Sequence, residues 1–106
     1  MNQFHAHVYY DSSSFYKAKV LVKKAYKING VNVGKMHEKP VGPHPVWSCQ
    51  LLFDKGQLTN MLVWLLKNRD DLTIFIHPVT DNELLDHTDF AIWLGDRYEL
   101  NLEALK

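Results

Sequence analysis

The chain has 106 residues, 46% of them hydrophobic, and its twelve basic residues cancel its twelve acidic ones. That size and apolar fraction describe one globular domain over residues 1–106 and exclude a disordered chain. The charge balance offers no basic face for nucleic acid, and no apolar stretch approaches a membrane span.

Residues 4–10 alternate with period two and predict a strand, with Phe4, Ala6 and Val8 on one face and His5, His7 and Tyr9 on the other. Asp11 and three serines are a helix-start signal. From Phe15 to Ile28, apolar residues recur at spacings of three and four, which predicts an amphipathic helix with lysines on its wet side, stopped by Asn29-Gly30. Val31 to Glu38 reads as a weaker strand, and Pro40 to Pro45, with three prolines and a glycine, as a loop.

Trp47 to Phe53 alternates again, and Asp54 with Gln57 resembles a capping box before a second amphipathic helix built on Leu58, Met61, Leu62, Leu65 and Leu66. Asn68 to Asp71 ends that helix, and Leu72 to Ile76 is a β-rich run closed by His77-Pro78. Residues 82–86 allow a helical turn, and Phe90 to Leu94 a fifth strand. The order β-α-β-β-α-β plus a tail predicts a ferredoxin-like α+β sandwich: an antiparallel sheet of order 4-1-3-2 with two helices on one face.

The six histidines avoid both helices. They fall in His-Ala-His at 5–7, in the motif from His37 to Pro45, and in the stretch from His77 to Thr88. With strand 3 read as parallel to strand 1 and strands 2 and 4 running the other way, His5, His7, His37, His44 and His77 are expected at one end of the sheet. Residues two apart on a strand lie roughly 6.5 Å apart, so the rings of His5 and His7 can approach one ion. By parity Phe75 and His77 share their face. That face, with Tyr9, Leu52 and Phe75 beside the histidines, predicts an apolar patch covered by a two-fold homodimer. The bland alternative is a monomer whose own tail crosses the patch.

Several neutral imidazoles, with or without a carboxylate, suit Fe(II), Zn or Mn. Glu38 is the nearest carboxylate in these motifs, although its parity is opposite to that of His37. Remaining histidines could serve as acids or bases. Cys49 has helix-side parity and reads as a buried structural thiol, and as the only cysteine it allows no internal disulfide. The first residues lack the basic and apolar regions of a secretion signal, so a reducing cytoplasm is the expected compartment.

His-Ala-His-Val-Tyr-Tyr-Asp, His-Glu-x-Pro-Val-Gly-Pro-His-Pro, Trp-Leu-x-x-Asn-Arg, His-Pro-x-Thr, Asp-His-Thr and Trp-Leu-Gly, in that order, resemble the DOPA 4,5-dioxygenase family from about Phe4 to Leu102. The resemblance implies a small ferredoxin-like protein, often dimeric, that opens the catechol ring of L-DOPA by extradiol cleavage with O2 and non-haem iron. Fe(II) is then the implied cofactor, with Zn as its substitute in purified material. His5 and His7 match the opening motif, His37, Glu38 and His44 the central one, and His77 and His87 the later histidines. His7 and His77 rank first as metal ligands, then His5, with His37 and Glu38 contesting the next position. Acid–base work falls to His44, with His37 and His87 as further candidates. The family's Thr-Gly-Asp is replaced by Thr80-Asp81-Asn82, which bears on substrate choice. A dimeric module that holds a metal or a small aromatic without turnover is the competing function.

Overall fold

The computed structural model describes residues 1–106. Strand β1 (Gln3–Tyr10) runs through the middle of a five-stranded sheet. The other elements are helix α1 (Phe15–Ala25), strands β2 (Asn32–Val33) and β3 (Trp47–Asp54), helix α2 (Leu58–Asn68), strand β4 (Thr73–Pro78), a one-turn helix α3 (Glu83–Asp86) and strand β5 (Ile92–Leu94). The strand order is β2-β3-β1-β4-β5, the ferredoxin-like arrangement with β5 added beside β4. No helix is long and apolar enough to cross a membrane.

Sequence patterning accounts for the helix-side core. Phe4, Ala6, Val8 and Tyr10 of β1, Cys49, Leu51 and Phe53 of β3, and Ile74 and Ile76 of β4 form one buried layer. Ala18, Leu21, Val22 and Ala25 of α1 and Met61 and Leu65 of α2 pack against it. Burial raises the Cys49 thiol to about 11, so it stays protonated as a core side chain. Asp11 opens α1 by accepting the backbone N–H groups of Ser13 and Ser14. Asp54 accepts the Gln57 N–H at 3.2 Å, but a short 3-10 turn at Lys55–Gln57 intervenes before α2.

Two expectations are corrected. First, β3 is antiparallel to β1, not parallel: Gln3 pairs with Asp54, and Tyr10 with Trp47. The split β-α-β units of this fold make strands 1 and 2 run together and strands 3 and 4 oppose them. Of the strand ends that carry histidines, only the start of β1 and the end of β4 therefore meet at one end, where His5 sits opposite His77.

Second, β2 has two residues instead of eight. Past Val33 only two backbone bonds to β3 persist, Gly34 N–H to the Gln50 carbonyl and His37 N–H to the Ser48 carbonyl. Gly34 passes so close that a Cβ there would stand 3.3 Å from the Gln50 oxygen. Three prolines then remove donors that pairing would need. His37 consequently lies beside Ser48 and Tyr10, whose hydroxyl donates to the His37 carbonyl at 2.7 Å, toward the end of the sheet away from His5.

The second face of the sheet is not open. Tyr9 is 2% exposed and Phe75 fully buried. Trp93 stacks on Phe75 with ring centroids 4.5 Å apart, and Tyr98 packs on Tyr9 at 5.3 Å. The loop carrying His44 folds across the same face and is tied to the tail where Asn101 N–H donates to the Pro43 carbonyl at 2.9 Å. The chain's own tail covers Tyr9 and Phe75, so these two rings no longer argue for a dimer, and Leu52 is left half-buried.

Candidate metal centre

Three imidazoles from the two central strands meet under this cover. His5 and His7 come from β1 and His77 from β4, and one ligand nitrogen of each lies within 4.8 Å of the other two. The Nε2 atoms of His7 and His77 are 3.0 Å apart. Two nitrogens bound at right angles to one ion at about 2.1 Å would stand about 3 Å apart, so this pair is spaced as neighbouring ligands are.

The tautomers follow from the partners. His77 Nδ1 lies 2.7 Å from the Pro78 carbonyl, which can only accept, so Nδ1 carries the proton and Nε2 the lone pair. Without an ion, His7 Nε2–H donates to that lone pair. Fixing the far nitrogen on a backbone carbonyl is how proteins orient metal-binding histidines.

Around the trio, His44 packs on His7 with centroids 4.0 Å apart, and His87 packs on His77 at 4.1 Å. His87 Nδ1 donates to the Glu83 carbonyl at 2.7 Å. His44 Nδ1 lies 2.7 Å from the Tyr9 hydroxyl. That contact is the only hydrogen bond of the buried phenol. If His44 were the donor, the Tyr9 proton would be stranded at a cost of about 1–3 kcal/mol. Tyr9 therefore donates, and His44 keeps its proton on Nε2.

The site is poised to bind a cation. Burial holds His7 well below its ordinary range, aided by repulsion from His44, His77, His5 and His87. Burial likewise lowers His44 and His77 to about 4. His5 is lowered by burial and by the charge of His87, against an opposing pull from Asp86. All four are neutral at pH 7, with the lone pairs a metal needs. Three neutral imidazoles converging in a pocket fit Zn or Fe(II), so the donor set matches the metal the family implies.

His5, His7, His44, His77 and His87 all line a cavity of about 280 Å³. His37 and Glu38 do not. Two carboxylates line the wall, Glu83 and Asp86; Asp86 is 2% exposed and accepts Thr80 N–H at 2.8 Å and the Thr80 hydroxyl at 2.6 Å. Sequence reasoning missed Asp86 and Tyr9. Asp86 stood in view in the Asp-His-Thr motif, and its place one turn after the capping Asn82 could have put it beside the strand end. The Thr80-Asp81-Asn82 departure is accommodated without glycine: no residue there has positive φ, and Asn82 caps α3 by accepting the Leu85 N–H.

The profile of the Dopa 4,5-dioxygenase family matches residues 4–104, and the chain belongs to that family. The DOPA 4,5-dioxygenase of Amanita muscaria is 35% identical over 71 residues, 67% of this chain and 31% of that one. An uncharacterized 21.2 kDa protein of Botryotinia fuckeliana is 37% identical over 84 residues, 72% of this chain and 46% of the relative. The chain thus spans less than half the length of these two curated relatives. A crystal structure of a candidate dioxygenase from Nostoc punctiforme superposes with a TM-score of 0.96 at 36% identity, covering 99% of this chain and 91% of the other.

Proposed function

We propose that this protein is a metal-dependent extradiol dioxygenase acting on a catechol-type ring, L-DOPA or a relative of it, with O2. The observation that carries this reading is the His5/His7/His77 trio, three neutral ligands from rigid strands inside a lined cavity of a Dopa 4,5-dioxygenase family member. Fe(II) held by the three would supply Lewis acidity toward the ring oxygens and the redox chemistry that O2 requires.

The chain's own residues do the rest. A cavity of about 280 Å³ takes one aromatic ring. A second hollow of about 530 Å³, lined by Arg97, Tyr98 and Glu99, shares the His87 wall and leaves room for a substituent. His44 and His87 border the trio on its two sides and supply the polar contacts to the ring oxygens. The proline-rich loop and the tail exclude bulk water. Asp86, clamped by Thr80, places a negative charge near His5 and His77 and balances a bound cation. The compartment consistent with this chemistry and with the lone buried thiol is a reducing cytoplasm.

Anaerobic loading with Fe(II), followed by oxygen uptake with a panel of catechols, tests the reading. The expected result is oxygen consumption with a yellow ring-opened product. Iron-loaded protein that consumes no oxygen with any catechol would overturn it.

A further inference from the structure

We propose that Gln50 is a specificity-determining residue of this site: its carboxamide hydrogen-bonds a ring oxygen of the molecule held at the metal centre, and so separates a ring with two vicinal oxygens from a ring with one. The inference rests on the reading of this cavity as a catechol site, and it assigns a residue that lies outside every histidine motif.

Strand register places the side chain. Gln50 of β3 pairs directly with His7 of β1, and His7 pairs on its other side with Phe75 of β4. Directly paired side chains share one face of the sheet, with Cβ atoms roughly 4.5–5.5 Å apart. The row across the sheet is therefore amide, imidazole, phenyl, and polarity enters it from β3 alone. The neighbouring row, Leu52, His5 and His77, brings no polar group from β3. Gln50 lines the same cavity as the trio, and Leu52 does not.

The mount is rigid. β1 holds one edge of β3, and on the other edge Gly34 N–H donates to the Gln50 carbonyl at 2.8 Å. Glycine allows that close passage, because a Cβ at position 34 would stand 3.3 Å from the Gln50 oxygen and 3.6 Å from its Cβ. A functional group on a strand held along both edges keeps its place better than one on a loop.

The amide is also free. Other polar groups of the wall are engaged inside the fold, His7 with His77, His44 with Tyr9 and Asp86 with Thr80. The Gln50 carboxamide has no hydrogen-bond partner within the chain, yet no buried side-chain nitrogen or oxygen is left unpaired, so its polar atoms open onto accessible space. A carboxamide offers two N–H donors and an acceptor oxygen, and it carries no charge. Amide oxygen suits Mg or Ca better than Zn or Fe(II), so beside three imidazoles Gln50 serves the bound molecule and not the ion. A ring with one oxygen, bound to the metal, leaves this amide unpaired in the closed site. A vicinal second oxygen gives it a partner, and an unpaired polar group is the larger penalty.

Binding of catechol and of phenol to the Zn(II)-loaded protein, where no turnover occurs, tests the assignment. The preference for catechol over phenol should fall about tenfold in Gln50→Leu, with phenol affinity unchanged. Gln50→Glu keeps the shape, removes both donors, and should lose at least as much. Both variants should take up as much Zn(II) as the wild type. Loss of Zn(II) from Gln50→Leu would overturn the proposal by making Gln50 a ligand. A preference that survives in both variants would refute it while leaving the catechol reading in place. A wild type that binds neither compound would remove the catechol reading and the Gln50 assignment together.

Discussion

Acidification of the metal-free protein should unfold it well above the pH at which carboxylates protonate. Burial sets His44 and His77 at about 4 in the folded chain, against an ordinary value of 6.5. Between those values the unfolded state binds more protons, so stability is complete above pH 6.5 and is lost as pH falls through the folded pKa. Each of these depressions corresponds to about 3 kcal/mol, and the pair to at most about 7 kcal/mol. A domain of this size has about 5–15 kcal/mol in all, so the loss is a large share of it. Urea titrations at pH 7.5, 6.5, 5.5 and 4.5 read the effect as a falling midpoint. The steepest loss should lie between pH 6 and 4.5, and His44→Gln should flatten it. A midpoint constant from pH 6.5 to 4.5 would show that the imidazoles are not buried as described. Saturating Zn(II) should move the loss to lower pH, because the metal competes with protons for the same nitrogens.

Three further outcomes are expected. His7→Ala should lower metal content after dialysis more than tenfold, whereas His37→Ala should leave it unchanged, and equal content in the two would refute the trio; His87→Ala should fall between them. Asp86→Ala removes two charge-assisted bonds to Thr80 and should lower thermal stability by about 2–4 kcal/mol, a drop of more than about 10 °C in the melting temperature; a shift under 3 °C would mean the clamp is slack. Gly95→Ala should cost about 1–3 kcal/mol in denaturant unfolding, because φ is +88° and the added Cβ would stand 2.7 Å from an Arg69 guanidinium nitrogen and 3.4 Å from the Thr73 backbone; a neutral result would mean the β5 turn relaxes freely.

Alternation made the faces of β1 and β4 legible. A period of two admits only one way to bury Phe4, Ala6, Val8, Ile74 and Ile76, and it sends His5, His7 and His77 to the other side. Strand direction is not contained in that period. It comes from the handedness of the crossovers, and reversing strands 2 and 3 moved His37 to the far end. His44 reached the site by another route, a loop folded over the sheet, where prolines bar regular pairing and no periodicity exists to read. Asp86 and Tyr9 were obscured for a related reason. Their roles depend on Thr80 and His44, six and thirty-five positions away, and only tertiary packing joins them.

The tail that closes the cavity imposes an order on maturation during synthesis. His5 and His7 are made before the rest of the trio, but two imidazoles hold a metal weakly, and the third, His77, follows some seventy residues later. The covering contacts from Trp93 and Tyr98, and the Asn101 bond to the His44 loop, arrive later still. At about 5–20 residues per second, several seconds separate the first two imidazoles from the third. The interval between the emergence of His77 and the docking of the tail is the one in which three ligands are assembled and the entrance is still open.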